Sequence, residues 1–287
     1  MPHTAKSYHR FTGYDRYNMS PHYLDWANQP AQFKDYTGMT TIALPKVSDI
    51  YRKPLLDTCR NRVDSMPAAL PAAAELARMF SLGCGLTAKA RQPGGDFYFR
   101  SAPSAGALYP NEVYLVWPGS AELDAGVYHF GFHHRKLAPL RTGDFARVFQ
   151  QASGATDETA GPLFLVSGIF FRSAWKYRSR AYRYVLLDAG HLIENLRLAV
   201  STDGFPARIE LAFDDKLADQ LLGVDPEREG CIGGLNIPVA DTDSDAAAEP
   251  RIDPLPETFA EASRVSEKEI EYEAILDIHR AGRQLTG

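Results

Sequence analysis

The sequence lacks any uninterrupted apolar run near the roughly 20 residues that a membrane-spanning helix requires. Its polar opening, MPHTAKSYHR, also lacks the basic and then apolar layout of a secretory signal. Cysteine is scarce: Cys59, Cys84 and Cys231 are far apart and odd in number, which fits neither a disulfide framework nor a CxxC-type metal site. These absences predict a cytoplasmic protein with no membrane partner and no metal site.

Motifs of several large enzyme classes are also missing. The chain has no GxGxxG after a predicted strand, no GxxxxGK[ST] phosphate loop, no HExxH and no GxSxG. Dinucleotide-fold dehydrogenases, P-loop enzymes, zincins and common serine hydrolases are therefore disfavoured. A formal net charge of −5 argues against a nucleic-acid partner. Any cofactor must be held by a different architecture.

The composition, with 45% hydrophobic and 23% charged residues, is that of a globular protein. Strand-like and helix-like segments alternate in the middle of the chain, which predicts one α+β domain over 55–240. Residues 1–54 are rich in aromatic side chains without a sustained period, so we interpret them as an ordered extension packed on the main body or on a second subunit. An acidic linker and a C-terminal helix are predicted over 241–287.

Hydrophobic periodicity and turn residues predict the individual elements. Strands are expected over 96–100, 112–117, 126–130, 163–171, 207–213 and 232–239. Helices are expected over 71–82, 143–153, 184–202 and 214–222. The helix over 184–202 is apolar on two sides, which is typical of a central helix.

The segment RSAPSAGALYPNE (100–112) concentrates small residues between two predicted strands. Small residues permit the close approach of another backbone or of a planar ligand. Two interpretations are open: a tight connection with a helical turn, or a floor for a flat cofactor whose edges are held by Ser104 and backbone N–H groups.

The segment FRSAWKYRSRAYRY (171–184) carries five basic residues and no acidic residue, interleaved with aromatic rings. Charge with aromatic rings is compatible with single-stranded nucleic acid, but this segment leads from a buried strand into a buried helix. The stronger interpretations are a solvated loop face and a site for an anionic small molecule or peptide.

Lys176 and Tyr177 in this segment form a candidate acid–base pair. A lysine in a dry site loses proton affinity and can work near neutral pH, and an adjacent tyrosine can relay or donate a proton. Adjacent lysine and tyrosine residues also occur by chance. On the following helix, Asp188, His191 and Asn195 lie along one polar stripe, for which a hydrogen-bonded core network is the commoner explanation.

Three co-linear segments, RSAPSAGALYPNEVY, GVYHFGFHHRKLAPL and WKYRSRAYRYVLLDAGHLIENLRLA, resemble the SagB-type dehydrogenases, the FMN-dependent branch of the nitroreductase family. The resemblance covers about residues 55 to 240. It implies the α+β flavin fold of nitroreductases, with a mixed central sheet flanked by helices. It also implies a homodimer with FMN at the subunit interface.

The resemblance implies site residues as well. The segment PSAGALYP would lie along the isoalloxazine ring of FMN. The implied FMN contacts are Pro103, Ser104, Ala105, Gly106 and Leu108. The family's Lys-Tyr pair, proposed for acid–base work, matches Lys176 and Tyr177. Known relatives oxidise thiazoline and oxazoline rings in peptides, with hydride passing to FMN and O2 reoxidising it.

One motif departs from the family pattern. Members carry Arg-Arg-Ser-x-Arg before the first helix, which holds the FMN phosphate and ribityl chain, whereas the corresponding stretch here is CRNRV (59–63). We expect Arg60 or Arg62 to serve instead, together with Arg100 or Arg172. Losing one charge-assisted contact costs about 1.5–3 kcal/mol, which predicts FMN binding weaker by roughly 10- to 100-fold.

Three functions are open from the sequence. The first is an FMN-dependent dehydrogenase acting on a heterocycle in a peptide or small molecule. The second is an NAD(P)H-dependent reductase of nitro compounds or quinones with the same fold, and the third is a non-catalytic homologue acting as a binding or scaffold subunit. The Lys176–Tyr177 pair favours the first, because a reductase has less need of a substrate-side base. The altered arginine motif favours the third.

Overall fold

The computed structural model describes residues 4–15, 17, 22–47, 54–60, 63, 66–92, 95–152, 161–240 and 251–283. The strands are β1 (Ile42–Ala43), β2 (Leu86–Gln92), β3 (Gly95–Arg100), β4 (Asn111–Trp117), β5 (Gly126–Gly131), β6 (Lys136–Thr142), β7 (Leu163–Ile169), β8 (Arg208–Glu210) and β9 (Glu229–Asn236). The helices are α1 (Ala5–Phe11), α2 (Leu55–Arg60), α3 (Ala73–Cys84), α4 (Ala146–Ala152), α5 (Phe170–Tyr177), α6 (Ala181–Thr202), α7 (Asp215–Leu222), α8 (Glu257–Glu261) and α9 (Glu273–Gly282).

Seven strands form one sheet in the order β1-β6-β5-β4-β7-β9-β8, and β2 pairs with β3 as a separate hairpin. Helices cover both faces of the large sheet, so the predicted α+β class is confirmed. The resemblance implied a mixed sheet, and within the described residues each strand pair runs antiparallel. None of the helices in this part of the chain is long and apolar enough to span a membrane.

The pairing of β4 with β7 decides where the candidate site lies. Asn111 at the start of β4 pairs with Gly168 near the end of β7. Because the two strands are antiparallel, the loop that precedes β4 and the helix that follows β7 emerge at the same edge of the sheet. Residues 101–110 and α5 are therefore neighbours in space.

Apolar side chains form separate cores on the two faces of the sheet. α3 and α6 cover one face, where Phe80 stacks on Phe130 with ring centroids 4.2 Å apart. α4 and α7 cover the other face, around Phe149. α3 and α6 approach closely at Gly83, where a Cβ would lie 2.6 Å from Leu196 Cδ2. The buried side chains along α6 agree with the central position predicted for it.

The largest difference from the predicted elements follows β7. We expected a strand over 163–171 and then a connection, but β7 ends at Ile169 and α5 begins at Phe170. The run LFLVSGIFF is apolar throughout, so its periodicity gives no boundary. α5 buries Phe170 with Ala174 and Phe171 with Trp175, a helical spacing of four that Arg172 interrupts in the sequence. β2 and β6 were not predicted, because LTAKARQ and KLAPLRT contain few β-branched or aromatic residues.

Both extensions pack on the body of their own chain. Lys34 in the N-terminal extension is fully buried, and its Nζ donates at 2.7 Å to Glu229 Oε2 and to Tyr114 Oη. It also donates at 3.1 Å to Ser263 Oγ in the C-terminal extension. The predicted C-terminal helix is present as α9, whereas the first part of the predicted acidic linker, over 241–250, lies outside the described residues.

Candidate active site

The loop of small residues over 101–109, between β3 and β4, has an unusual backbone. Gly106, Ala107 and Tyr109 all have positive φ, at 64°, 54° and 48°. This left-handed conformation costs a residue with a Cβ about 1–2 kcal/mol. Ala107 and Tyr109 therefore keep it only because their surroundings determine it. The small-residue loop is a turn held by tertiary contacts.

Asp188 on α6 holds the beginning of this loop. Its carboxylate accepts a 2.6 Å hydrogen bond from Ser104 Oγ, and the Ala105 N–H lies 3.2 Å from both carboxylate oxygens. Ser104 Oγ accepts in turn from the Tyr109 N–H at 2.8 Å. Burial raises the pKa of Asp188, and the hydrogen bonds from Ser104 and Ala105 oppose that rise. Two residues of the predicted polar stripe therefore differ in burial: Asp188 is buried against the loop, whereas His191 is exposed to solvent.

Lys176 and Tyr177, at the end of α5, meet the loop at Gly106. A Cβ at residue 106 would lie 2.7 Å from Tyr177 Oη and 3.0 Å from Lys176 Nζ, so a side chain there would force the tyrosine hydroxyl to move. Both side chains are half-buried. Burial raises the pKa of Tyr177, with a smaller contribution from Tyr184, whose ring centroid is 4.3 Å away. The Tyr177 hydroxyl is therefore protonated at neutral pH and able to donate.

Arg172, one turn before Lys176 on α5, is only 1% exposed and is bound within the protein. Its Nη1 donates to Glu112 Oε1 at 2.5 Å and to the Tyr109 carbonyl at 2.9 Å. The other oxygen of Glu112 lies 2.9 Å from His129 Nε2. Burial acts to raise the pKa of Glu112, but Arg172 and His129 outweigh it and lower the value to about 2. Nε and Nη2 of Arg172 have no hydrogen-bond partner among the described residues.

Arg100 is also buried, at 8% exposed. Its guanidinium donates to the Asn111 carbonyl at 3.0 Å and to the Gln32 carbonyl at 2.9 Å, and its Cζ lies 3.7 Å from the ring centroid of Phe132. Burial lowers its pKa to about 10. Arg172 thus holds the end of the small-residue loop through the Tyr109 carbonyl, whereas Arg100 binds the first residue of β4 and the N-terminal extension.

The other two predicted arginines belong to the altered family motif. Arg60 is exposed at the end of α2, a helix that packs against α6. Arg62 lies outside the described residues. Among the predicted FMN-binding arginines that the structure describes, Arg100 and Arg172 are buried and Arg60 is exposed.

The outer face of the small-residue loop suits a flat ring. The predicted FMN contacts there are exposed or half-buried: Pro103, Ser104, Ala105, Gly106 and Leu108. The cavity lined by Arg100, Tyr109 and Asp188 measures about 20 Å³, whereas ligand pockets typically have about 300–1,000 Å³. A flat ring the size of isoalloxazine would therefore have to lie on the outer face of the loop, next to Lys176 and Tyr177.

The N-terminal extension borders the acid–base pair, which the sequence did not predict. His22 Nε2 donates to the Lys176 carbonyl at 2.9 Å. Trp26 packs edge-on against Trp175 with ring centroids 5.2 Å apart, and Trp175 Nε1 donates to the Asp25 carbonyl at 2.8 Å. The end of α5 is thus held in place by the extension.

The basic segment also finds partners in this extension. Arg180 donates to the Thr12 carbonyl and lies 3.9 Å from the ring centroid of Tyr14. Arg183 donates to Thr12 Oγ1 at 2.9 Å and to the His9 carbonyl at 2.7 Å. These two arginines therefore bind the N-terminal extension of their own chain. The sequence had indicated a solvated loop face or an anionic ligand as their environment.

The loop, the acid–base pair and Asp188 all lie within one family match. The model of the nitroreductase family matches residues 67–237, which include everything from α3 to β9. The chain belongs to the nitroreductase family.

Two curated relatives narrow the resemblance. The chain is 33% identical to the microcin B17-processing protein McbC of Escherichia coli over 133 residues, 44% of this chain and 49% of that protein. It is 29% identical to the trifolitoxin-processing protein TfxB of Rhizobium leguminosarum bv. trifolii over 148 residues, 49% of this chain and 40% of that protein. The chain thus spans about half the length of these relatives or less. The resemblance to the SagB-type branch is confirmed.

Solved structures agree on the fold. A candidate nitroreductase from Anabaena variabilis superposes with a TM-score of 0.70 at 28% identity, covering 99% of this chain and 55% of that chain. The E. coli microcin synthetase McbBCD complex with truncated pro-MccB17 bound gives a TM-score of 0.52 at 18% identity, covering 83% of this chain and 92% of that chain. The predicted nitroreductase fold is therefore confirmed.

Proposed function

We propose that this protein is an FMN-dependent dehydrogenase that oxidises a heterocycle, an azoline to an azole, in a peptide or a small molecule. The observation that carries the proposal is the convergence of Lys176 Nζ and Tyr177 Oη on the Gly106 backbone, at the open face of the loop. The names of McbC and TfxB, which process microcin B17 and trifolitoxin, support a peptide substrate.

We assign the ring of FMN to the outer face of the small-residue loop. The phosphate end is assigned to the cations of the altered motif, Arg60 and Arg62, because Arg100 and Arg172 are buried and bound to other parts of the chain. When bound there, FMN would supply the hydride acceptor. Dehydrogenation of an azoline also releases a proton, and accepting this proton is the task of the protein.

Lys176 is the proposed base for that proton, with Tyr177 orienting the substrate or relaying the proton. The two groups lie side by side at Gly106, within reach of anything placed on the loop. The N-terminal extension borders the pair on one side, through His22 and Trp26. A positioned base of this kind typically accelerates proton removal by about 10²- to 10⁴-fold.

A homodimer would complete the site. Leu186 and Leu187 on α6 are 42% and 58% exposed, and Leu55 and Leu56 on the neighbouring α2 are 62% and 65% exposed. Exposed apolar side chains on two neighbouring helices are typical of a protein interface. A second copy on this face would also close the open side of the cofactor site.

Three free cysteines, two of them buried, suit a reducing compartment such as the cytoplasm.

The test is to titrate FMN into the purified protein while following flavin fluorescence, and then to add a synthetic thiazoline-containing dipeptide in air. We expect saturable binding and a product that has lost two hydrogens by mass. Oxidation of NADPH with a nitro compound, without dehydrogenation of the dipeptide, would identify the reductase alternative. Absence of flavin binding at high FMN would contradict the proposal and favour a scaffold subunit. A monomer by light scattering with bound FMN would contradict the dimer.

A further inference from the structure

We propose that Asp188 and Arg172 are positioning residues, which hold the two ends of the small-residue loop so that its apex meets the acid–base pair. The hydrogen bonds of both side chains go to the loop and to Glu112, and Asp188 makes only a small electrostatic contribution to the raised pKa of Tyr177. Their proposed role is to act through the backbone of the loop, and it deepens the proposed function.

The first clamp is the carboxylate of Asp188. Both of its oxygens are used, since one binds Ser104 Oγ at 2.6 Å and both lie 3.2 Å from the Ala105 N–H. Asp188 is 7% exposed on α6, so water competes little for these contacts. Ser104 carries the constraint further, because its Oγ accepts from the Tyr109 N–H. One carboxylate thereby sets the start of the loop and part of its end.

The second clamp is the guanidinium of Arg172. It donates to the Tyr109 carbonyl at 2.9 Å, while Glu112, fully buried on β4, anchors it at 2.5 Å. Arg172 and Lys176 are four residues apart on α5 and therefore share a face of the helix. A single side chain thus ties the end of the loop to the helix that carries the proposed base.

The loop needs these clamps because of its backbone. Ala107 and Tyr109 have positive φ, at 54° and 48°, a conformation that residues with a Cβ avoid. If either clamp is removed, the loop can relax toward ordinary conformations and carry Gly106 away from the acid–base pair. A displacement of about 1 Å at a reacting centre can cost roughly 100-fold in rate.

Hydrogen exchange of the protein without added FMN tests the clamps directly. Asp188→Asn keeps the size of the side chain and removes one of the two acceptors. We expect amide exchange over residues 104–109 to accelerate by roughly 10- to 100-fold, the ratio that corresponds to one lost charge-assisted hydrogen bond. The control is Glu194→Gln, the same chemical change on the same helix, where the carboxylate pairs with Arg197 at the surface. It should leave this exchange unchanged.

A second variant covers the case in which Asp188→Asn lowers the stability of the whole protein. Ser104→Ala removes the same hydrogen bond from the loop side, and we expect the same local acceleration. Unchanged exchange over 104–109 in both variants would overturn the proposal. This result does not depend on flavin, so it is independent of whether the proposed function is correct.

Kinetics with the thiazoline dipeptide distinguish positioning from a general structural role. Asp188→Asn should lower kcat by about tenfold or more with little change in KM or in the Kd for FMN. Adding Ala107→Gly should recover kcat several-fold, because glycine adopts positive φ without a steric cost. A loss of kcat that Ala107→Gly leaves unrelieved would overturn the positioning role. Wild-type protein that binds no flavin would overturn the proposed function and leave the exchange result standing.

Discussion

Two carboxylates are fully buried in the same sheet, and their surroundings differ. Glu229 on β9 accepts from Lys34, Tyr114, Ser167 and Ser263, a group that we call the Glu229 cluster. The Lys34 ammonium has three hydrogen-bond acceptors, one for each of its N–H groups. Burial acts to raise the pKa of Glu229, but Lys34 and the hydroxyl donors outweigh it and lower the value.

Glu112 on β4 forms the Glu112 cluster with Arg172, His129 and the Tyr109 carbonyl. Here the cation is not saturated, since two nitrogens of Arg172 have no partner in the described part of the chain. The Glu229 cluster joins both extensions to the sheet, whereas the Glu112 cluster joins the sheet to the small-residue loop. The comparison indicates that the Glu229 cluster stabilises the fold, whereas the Glu112 cluster sets the geometry of the candidate site.

The largest effect is expected at the residues that the Glu112 cluster supports. Lys176→Ala and Tyr177→Phe should each lower dehydrogenation of the thiazoline dipeptide by roughly 10²- to 10⁴-fold, because the proton from the substrate loses its acceptor or relay. Bound flavin and the melting temperature should stay near the wild-type values. If excess FMN restores turnover of Lys176→Ala, the lysine is a cofactor ligand and its assignment as a base is wrong.

A large loss of stability is expected at the Glu229 cluster. Lys34→Met should lower the free energy of unfolding by about 3–5 kcal/mol, because the carboxylate is left buried without a cation. Urea unfolding measures the loss, and limited proteolysis should show release of the extensions. Lys89→Met is the matched control, since Lys89 pairs with Asp96 at the same 2.7 Å but at the surface. Equal losses in the two variants would remove the distinction between these pairs.

Arg172→Met should cost less stability than Lys34→Met, about 2–3 kcal/mol. Glu112 keeps a second partner in His129, whose Nε2 lies 2.9 Å from Glu112 Oε2, so the carboxylate is not left without a hydrogen bond. Thermal and urea unfolding of the two methionine variants side by side measure the difference. A loss for Arg172→Met as large as that for Lys34→Met would show that both clusters are primarily structural.

The smallest expected effect is the pH dependence of the free energy of unfolding that a buried histidine in the C-terminal extension causes. His279 on α9 is 4% exposed and lies against Phe170 and the Tyr182 hydroxyl. Burial, with smaller contributions from Arg283 and Arg280, lowers its pKa to about 4 from 6.5. The folded state therefore favours the neutral ring, and its contribution is complete above pH 6.5 and declines as the pH falls from there toward 4.

Between pH 7.5 and 5.5 this group should lower the free energy of unfolding by about 1 kcal/mol. The measurement is the difference in urea unfolding between the wild type and His279→Leu, which cannot titrate. Because other buried groups titrate in both proteins alike, only the difference reports on His279. Identical pH profiles for the two proteins would show that α9 is not docked through a neutral ring.

Several features could be predicted because they depend on local sequence. The helix predicted over 184–202 is observed as Ala181–Thr202, since its apolar residues recur with helical spacing over five turns. Small residues in succession at 101–106 indicated a close approach, and Lys176 with Tyr177 are the groups that approach. The basic segment was interpreted as a solvated loop face or as a site for an anionic small molecule or peptide. Arg180 and Arg183 instead bind residues distant in sequence, on which periodicity contains no information.

Covalent order and side-chain chemistry therefore determined the α+β succession of elements, the composition of the loop and the adjacency of Lys176 and Tyr177. Only the tertiary structure decided what each charge binds. Arg172 pairs with Glu112 because antiparallel pairing brings the start of β4 beside the end of β7. Asp188 binds the loop because α6 packs across that same edge. A buried charge is stable only with a partner, and which partner is within reach depends on how the strands and helices are arranged in space.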